Sequence, residues 1–333
     1  MTAVVKPPAQ PRRRQLEQIL PTIAPLGGVA AVLVLVALTT PTFFTGATLS
    51  LVLFETGLIG VTAVGQTLVL LVGGIDLSIG AVIGLTTVII ASDSGGSGAR
   101  LPTAIALAAA AGIAVGLVNA VLVLVRQVPP FVATFVTFVL VQGGITAWTQ
   151  GAPSGDIPEA LGPLGSGRIV GLPTPVWIFA VLAALTGLML SRTALGRHIY
   201  ASGANRRAAD MSGIRTMQVI AIAYVASALL AVLAGFIDAG YIGHVDAQLS
   251  RSLNLDSVAA AVIGGVALTG GRGNIAQTIS GVLLLAVLLV WMVQLGAGPG
   301  GQLAVEGAAI LLAAGLQHGG LFTRKKQQKG VRR

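Results

Sequence analysis

Long apolar stretches alternate with short polar connections along almost the whole chain. Ten of these stretches have, or approach, the roughly 17–25 residues that a helix needs to cross a bilayer. Their approximate boundaries are 22–40, 50–72, 77–92, 103–125, 131–150, 174–190, 216–237, 255–270, 276–296 and 302–318. The pattern predicts an all-α polytopic membrane protein with about ten transmembrane helices.

Polar segments at both ends and near the middle divide the chain into parts. We expect a cytoplasmic arm at 1–21, a transmembrane domain at 22–318 and a basic cytoplasmic tail at 319–333, with a polar cytoplasmic segment at 191–215. The arm resembles the start of a signal peptide, but no small-x-small cleavage site follows it. An uncleaved first helix is therefore expected.

The basic residues predict the orientation. With the N-terminus inside, 17 of the 20 Lys and Arg residues fall on the cytoplasmic side, and only Arg100, Arg168 and Arg251 fall outside. Positive charge concentrates in cytoplasmic loops of membrane proteins. Both termini and residues 191–215 are therefore predicted to be cytoplasmic.

Composition excludes several classes of protein. With 54% hydrophobic and 9% charged residues, the chain cannot be an ordinary soluble globule. The net charge of +9 lies in loops and tails, which argues against a nucleic-acid partner. The absence of cysteine excludes disulfides and thiolate chemistry, and the three separated histidines predict no metal site.

Few polar side chains fall inside the predicted spans or at their edges. They are Glu55, Gln66, Asp76, Asn119, Gln142, Asp256, Gln294 and Glu306. Glu55 and Glu306 lie near the outer ends of their spans, where a side chain can reach the interface, so neither indicates a proton relay. Asp76 is expected to cap a helix beginning at Leu77 by accepting the Ser78 or the Ile79 amide, or to contact a substrate directly.

Two short spans each adjoin a glycine pair. Gly73-Gly74 precedes the span 77–92, and Gly270-Gly271 follows the span 255–270. Such interruptions occur in broken helices that line a transport pathway, because irregular backbone at membrane depth must be buried or face water. Tight turns between ordinary helices are the alternative.

The 191–215 segment is the longest polar, basic interruption inside the apolar region. It carries five arginines and several small residues, among them Gly203 and Gly213, which would allow a partner protein to approach the backbone closely. A plain positive cytoplasmic loop is the other interpretation. The chain contains no phosphate-binding Gly-x-x-x-x-Gly-Lys-Ser/Thr motif, so active transport would need an ATPase on another polypeptide.

Four blocks of sequence resemble the permease family of bacterial sugar importers of the ATP-binding-cassette type, in its ribose, xylose and galactoside branch. The blocks occur in the family's order and together span most of the chain. They are Gly73 to Gly80; Asn119 with Val128 to Thr134; Thr193 to Ile214; and Ala261 to Gly265 with Gly270 to Gly273.

The resemblance implies an inner-membrane permease subunit that imports a monosaccharide or polyol. Its implied partners are a second permease copy, a cytoplasmic ATPase that holds ATP and Mg²⁺, and an external sugar-binding protein. The implied ATPase-coupling residues are Gly196, Arg197, Gly203, Asn205, Ala208, Ala209, Ser212 and Gly213. The implied pathway or helix-break residues are Gly73, Gly74, Asp76, Ser78, Asn119, Pro129, Pro130, Phe131, Gly264, Gly265, Gly270 and Gly271.

The chain departs from the family pattern in two places. Asn254-Leu255-Asp256 replaces a usual Glu-Leu-Asp, and the span near Trp291 lacks the usual asparagines. A branched-chain amino-acid permease of a related family and an ion-coupled carrier remain alternatives. A membrane-embedded enzyme would need convergent acid, base or metal groups that the spans do not show. The Gly- and Pro-rich loop at 151–173 is either a docking surface for an external partner or a connector.

Overall fold

A computed structural model of the chain describes the backbone of residues 12–245 and 253–330, and the side chains of residues 26–245 and 253–315. In this part of the chain the helices are α1 Arg12–Thr39, α2 Gly46–Leu71, α3 Ile79–Ser94, α4 Leu101–Leu124, α5 Pro130–Trp148, α6 Gly162–Gly165, α7 Thr174–Arg192, α8 Ala194–Ala204, α9 Arg206–Met211, α10 Thr216–Ile242, α11 Leu253–Gly264, α12 Ile275–Gln294 and α13 Pro299–Gly330. Three short 3₁₀ turns, Pro41–Phe44, Gly98–Arg100 and Glu159–Leu161, and two short strands, β1 Arg168–Ile169 and β2 Leu172–Pro173, complete the described elements.

The predicted all-α membrane architecture is confirmed. Each of the ten predicted spans overlaps one helix: α1 to α5, α7 and α10 to α13. Within the described residues, six of these helices are long and apolar enough to cross a membrane, and three shorter apolar helical segments accompany them. Helix α1 begins at Arg12, ten residues before the predicted first span, and α13 continues beyond the last.

The connections between helices gather at two ends of the bundle. We call them the α8–α9 end and the hairpin end, which carries β1 and β2. At the α8–α9 end, Leu71 accepts a hydrogen bond from the Gly271 amide at 2.9 Å. At the hairpin end, Arg168 donates to the Ser50 hydroxyl at 2.8 Å, and the backbones of Asp156 and His244 form an isolated antiparallel β-bridge. Loops predicted to share one side of the membrane therefore share one end of the bundle, while the side itself stays a prediction.

Helices α2 and α10 form the centre of the bundle. Helix α2 packs against α7, α10, α11 and α12, whereas α10 packs against α2, α3 and α4. Their fully buried side chains include Ile59, Leu70, Leu71, Tyr224 and Ile237. Most of the remaining helices surround this pair and leave large apolar side chains exposed, as expected for surfaces that face lipid, whereas α3 is buried along nearly its whole length.

The long loop at 151–173 folds against the hairpin end of the bundle. It contains the Glu159–Leu161 turn, α6 and the antiparallel pair β1–β2, in which Arg168 pairs with Pro173. Leu161 is buried against α10, and Phe54 stacks on Tyr241 with ring centroids 3.7 Å apart close by. This loop is a packed part of the fold.

Candidate functional site

The connection between α2 and α3 is a buried, non-helical segment inside the bundle. Residues 74–78 have no regular secondary structure, yet Gly74, Asp76, Leu77 and Ser78 are all buried. Backbone polar groups at such depth need partners within the protein. The side chains around this segment supply them.

Asp76 is the centre of the polar cluster in this connection. Its Oδ1 accepts the Ser78 amide at 2.9 Å and the Ser78 hydroxyl at 2.6 Å, and its Oδ2 accepts the Ser227 hydroxyl at 2.8 Å. Ser78 in turn accepts from the Asn119 side-chain amide at 2.8 Å. The carboxyl group thus connects the start of α3 with α10 and α4.

Neighbouring side chains form hydrogen bonds with the backbone groups of the same segment and of the start of α3. The Gln66 side-chain amide, oriented to match its neighbours, donates to the Asp76 carbonyl at 3.0 Å and accepts the Asp76 amide at 3.3 Å. Thr134 on α5 donates to the Ile75 carbonyl at 3.1 Å, and Asn254 on α11 accepts the Gly80 amide. Polar side chains from α2, α5 and α11 therefore hold the interruption in place.

The predicted cap is right in its acceptor and wrong in the helix start. Asp76 does accept the Ser78 amide, but α3 begins at Ile79 with Ser78 at the N-cap, so Asp76 lies two residues before the cap. The second carboxyl oxygen, Oδ2, accepts the Ser227 hydroxyl, so the carboxyl group of Asp76 is shared between the start of α3 and α10. Asp76 fixes the entry of the chain into α3.

The two glycine pairs meet in space. A Cβ on Gly270 would lie 2.8 Å from the Gly73 Cα, and a Cβ on Gly203 would overlap the Leu71 carbonyl oxygen. Gly73 and Gly270 also have positive φ of 84° and 82°, which only glycine adopts easily. Three segments, 71–74, 203–204 and 270–271, converge here, and we call this contact the glycine hub.

Gly264 and Gly265 belong to a different arrangement. A Cβ on Gly264 would overlap the Gln277 carbonyl oxygen, so this glycine lets α11 pack closely on α12. Residues 265–274 then turn the chain from α11 into the antiparallel α12, whose start Asn274 and Gln277 fix with a capping box. This interruption is a turn between neighbouring helices.

A cavity of about 470 Å³ opens beside the glycine hub. Gly73, Gly74, Pro129, Pro130 and Gly203 line it. Its wall also carries the buried hydroxyls of Ser202 and Tyr224, which have no hydrogen-bond partner within the described residues. The α4–α5 loop, the α2–α3 connection and α8 therefore enclose a common space.

The 191–215 segment folds into two short helices. Thr193 caps α8 by accepting the Gly196 amide at 3.2 Å, and Asn205 caps α9 by accepting the Ala208 amide at 3.1 Å. Tyr200 donates to the Gly273 carbonyl at 2.8 Å, and burial raises the pKa of its hydroxyl. Helix α8 is thereby fixed to the bundle through the turn that follows α11.

Comparison with known proteins identifies the family. Residues 48–314 match the family described as "Branched-chain amino acid transport system / permease component". The chain belongs to this family. The matched residues run from the first turn of α2 into the middle of α13.

Curated relatives extend the match to nearly the whole chain. The chain is 38% identical over 304 residues to the ribose import permease protein RbsC of Escherichia coli (strain K12), with 89% of this chain and 92% of that protein covered. It is 31% identical over 317 residues to RbsC of Bacillus subtilis (strain 168), covering 95% and 96%. It is also 38% identical over 228 residues to the galactofuranose transporter permease protein YtfT of Escherichia coli (strain K12), covering 68% and 67%. No solved structure matches the chain.

The three glycines of the 191–215 segment have different surroundings. Gly196 and Gly203 face the protein itself: a Cβ on Gly196 would overlap the Leu190 carbonyl oxygen, and Gly203 lies in the glycine hub. Gly213 has open space around it and a φ of 81°, because it ends α9 in a left-handed conformation. Gly196 and Gly203 therefore serve close packing within the chain, whereas contact of the segment with an ATPase stays a prediction.

The exposed side of the segment lies on α9 and its flanks. Ala209 is buried, whereas the other coupling candidates Arg197, Asn205, Ala208 and Ser212 are exposed. Arg206, Arg207 and Met211 join them, and Met211 is 91% exposed. The exposed side chains at this end therefore belong mainly to α9, with Arg197 on α8 beside them.

Phe131 lies apart from the other pathway candidates. It is 55% exposed and stacks on Phe135, with ring centroids 6.2 Å apart, on an outward apolar face of α5. Pro129 and Pro130 begin the same helix but face the cavity. The structure thus gathers Gly73, Gly74, Asp76, Ser78 and Asn119 around one connection and leaves Phe131 outside it.

Ser227 and Tyr224 stand in no motif of the sequence, and Thr134 ends one of the four family-like blocks without any sign of its contact. Ser227 and Thr134 contact the α2–α3 connection from helices far away in sequence, and Tyr224 packs its ring beside Gly74. No local pattern marks a serine or threonine in an apolar helix as a partner of a distant carboxyl group. A hydroxyl also bonds readily to its own helix, as Thr137 does with Ala133.

Proposed function

We propose that the chain is the membrane permease subunit of an ATP-driven importer that moves a monosaccharide or related polyol into the cytoplasm. The observation that carries this proposal is the 38% identity to a ribose import permease across 89% of this chain and 92% of that protein. A match that covers 89% of this chain spans α2 to α12, and with them the α2–α3 connection. The galactofuranose relative supports the same class of substrate.

The family description also names branched-chain amino acid transport. The ribose and galactofuranose relatives favour a sugar over an amino acid. The names of these relatives describe sugar permeases, and none of the three names an ion-coupled carrier. The sugar assignment therefore takes precedence.

A separate ATPase subunit would supply the energy. The chain has no phosphate-binding loop motif, so ATP and Mg²⁺ would be held by that partner. We assign the docking of the ATPase to α9, with Arg206, Arg207 and Met211 in the contact. An exposed methionine among arginines suits a partner groove with an apolar floor and an acidic rim.

An external sugar-binding protein and a second permease copy would complete the assembly. The folded 151–173 loop at the hairpin end provides a surface for the binding protein, on the side opposite α8 and α9. Among the six long apolar helices, α5 has the smallest buried share, so its outward face contacts lipid or the second copy. Cysteine substitution of the outward Val136 in this cysteine-free chain, followed by cross-linking in membranes, tests the dimer.

Substrate identity can be tested in cells that lack their own sugar importers. Such cells would express the chain together with its ATPase and binding protein and receive a panel of labelled pentoses, hexoses, polyols and leucine. We expect uptake of one or a few of the sugars or polyols and none of leucine. Uptake of leucine alone would support the amino-acid alternative.

A further inference from the structure

The cavity beside the glycine hub contains two buried hydroxyl groups without a partner. Ser202 in α8 is 3% exposed and Tyr224 in α10 is 0% exposed, and neither hydroxyl oxygen has a hydrogen-bond partner among the described residues. Buried hydroxyls in proteins are nearly always paired, because burial without a partner is costly. A molecule in the cavity would supply the missing partner.

The glycines of the hub explain why no side chain of the protein does so. A Cβ on Gly74 would lie only 2.5 Å from the Tyr224 hydroxyl oxygen, and Gly203, the neighbour of Ser202, packs directly on the Leu71 carbonyl. Both hydroxyls therefore lie beside backbone that carries no side chain to bond them.

The charges around the cavity favour an anion. Arg206, the first residue of α9, lines the cavity and is exposed, and among its described lining residues there is no Asp or Glu. Asp76 lies beyond Gly74, and both of its carboxyl oxygens already accept hydrogen bonds. Asp210, four residues after Arg206, accepts the Thr216 hydroxyl at 2.6 Å. An anion would therefore meet a guanidinium and no carboxylate in the wall.

Helix α5 adds backbone donors to the same wall. Pro130, its first residue, and Pro129, its N-cap, both line the cavity, and no side chain caps the helix. Amides in the first turn of a helix have no acceptor in their own helix, and the helix dipole makes this end attractive to anions. Phosphate oxygens bind well to such amides and to a guanidinium.

We propose that this cavity binds a phosphate ester. Arg206 and the start of α5 would hold the phosphate oxygens, and Ser202 and Tyr224 would bond the phosphate or the hydroxyl groups of the carbon chain that bears it. A volume of about 470 Å³ admits either a small phosphorylated polyol or the headgroup of an anionic lipid. Both sources present the same chemistry to the cavity.

A bound phosphate would join parts of the chain that meet at the α8–α9 end. The cavity wall includes residues of α8 and α9, the α4–α5 loop and the α2–α3 connection. The ligand would therefore restrict the movement of α9 relative to the bundle. Because we assign ATPase docking to α9, this consequence for transport rests on the proposed function, whereas phosphate binding by the isolated chain does not.

Thermal unfolding of the full-length chain in phosphatidylcholine nanodiscs, titrated with glycerol 3-phosphate at constant ionic strength, tests the site. A ligand that binds only the folded state raises the melting temperature. We expect a saturable rise with glycerol 3-phosphate and none with glycerol. Arg206→Gln should weaken binding roughly 10–100-fold, and Ser202→Ala or Tyr224→Phe roughly 3–10-fold each, since hydrogen bonds to charged groups are the stronger ones.

Matched variants separate the site from general effects of charge or of a lost hydroxyl. Arg215→Gln removes an exposed cation of the same segment outside the cavity wall, and Tyr200→Phe removes a hydroxyl that donates to the Gly273 carbonyl. Both should bind glycerol 3-phosphate as the wild type does. Arg206 is exposed, so Arg206→Gln should fold even if a core variant does not. An unchanged affinity in Arg206→Gln, or no saturable rise in the wild type, would overturn the site for a soluble ester.

The same measurement in phosphatidylglycerol nanodiscs identifies the source of the phosphate. If a lipid headgroup occupies the cavity, these discs should raise the melting temperature of the wild type and of Arg215→Gln but not that of Arg206→Gln. If the ligand is a soluble ester, the change of lipid should affect all three alike, and the response to glycerol 3-phosphate should remain. The absence of any Arg206-dependent response to either phosphate would refute the proposal.

Discussion

Asp76 offers a graded test of the site. Its carboxyl group accepts three hydrogen bonds, two from Ser78 and one from Ser227, within a buried connection. Asp76→Asn retains Oδ1 for both Ser78 donors and places an NH₂ group opposite the Ser227 hydroxyl, which can turn to accept. Asp76→Ala removes all three acceptors and leaves buried donors unpaired.

The magnitudes follow from the partners. A hydrogen bond to a charged group contributes about 1.5–3 kcal/mol, and an unpaired buried group costs about 1–3 kcal/mol. Allowing for non-additivity, we expect Asp76→Ala to lower the free energy of unfolding by about 4 kcal/mol and Asp76→Asn by about 1 kcal/mol. Ser227→Ala, which removes one donor, should fall between them at about 2 kcal/mol.

The assay is denaturant-induced unfolding of the purified chain in mixed micelles, accompanied by sugar uptake normalised to inserted protein. Sugar uptake should follow stability: Asp76→Asn should take up sugar at nearly the wild-type rate, and Asp76→Ala should be strongly impaired. In the Asp76→Asn background, adding Ser227→Ala should cost about 1–3 kcal/mol more, because it leaves the buried NH₂ group at position 76 without its acceptor. If Asp76→Asn impairs uptake as much as Asp76→Ala when equal amounts of protein are inserted, the carboxylate acts on the substrate. That result would refute the structural role of Asp76.

Three further predictions concern the rest of the fold. Because the chain lacks cysteine, single cysteines at Asn205 and Glu159 should be labelled from opposite sides of the membrane, and labelling of both from outside would contradict the ten-span topology. Gly203→Ala should lower thermal stability because its Cβ overlaps the Leu71 carbonyl, whereas Ala208→Gly on exposed α9 should cost at most about 1 kcal/mol; equal effects would contradict the glycine hub. Tyr200→Phe should cost about 1 kcal/mol in unfolding titrations. Because burial raises the pKa of Tyr200, that contribution should persist to about pH 10 and fade above it, and a loss already at neutral pH would be inconsistent.

The sequence predicted the helices well and their internal contacts poorly. Hydropathy marked all ten spans, since a helix that faces lipid and one that faces the core are both apolar. For the same reason it could not show which face of α5 points outward or that Gly203 points inward. Ser227, the partner of Asp76, lies 151 residues away in the sequence, and Thr134 reaches the Ile75 carbonyl from α5. Only the fold brings such residues together.

ATP hydrolysis by the assembled importer in proteoliposomes tests the central claim most directly. The wild-type chain with its ATPase should hydrolyse ATP faster when the sugar-loaded binding protein is added on the hairpin side. Met211→Glu, at an exposed position of α9, should fold and insert normally but abolish this stimulation. Ser166→Glu, an exposed substitution in the loop assigned to the binding protein, should retain ATPase binding in co-purification, which Met211→Glu should lose. Normal stimulation in Met211→Glu, or stimulation that does not need this chain, would contradict the account.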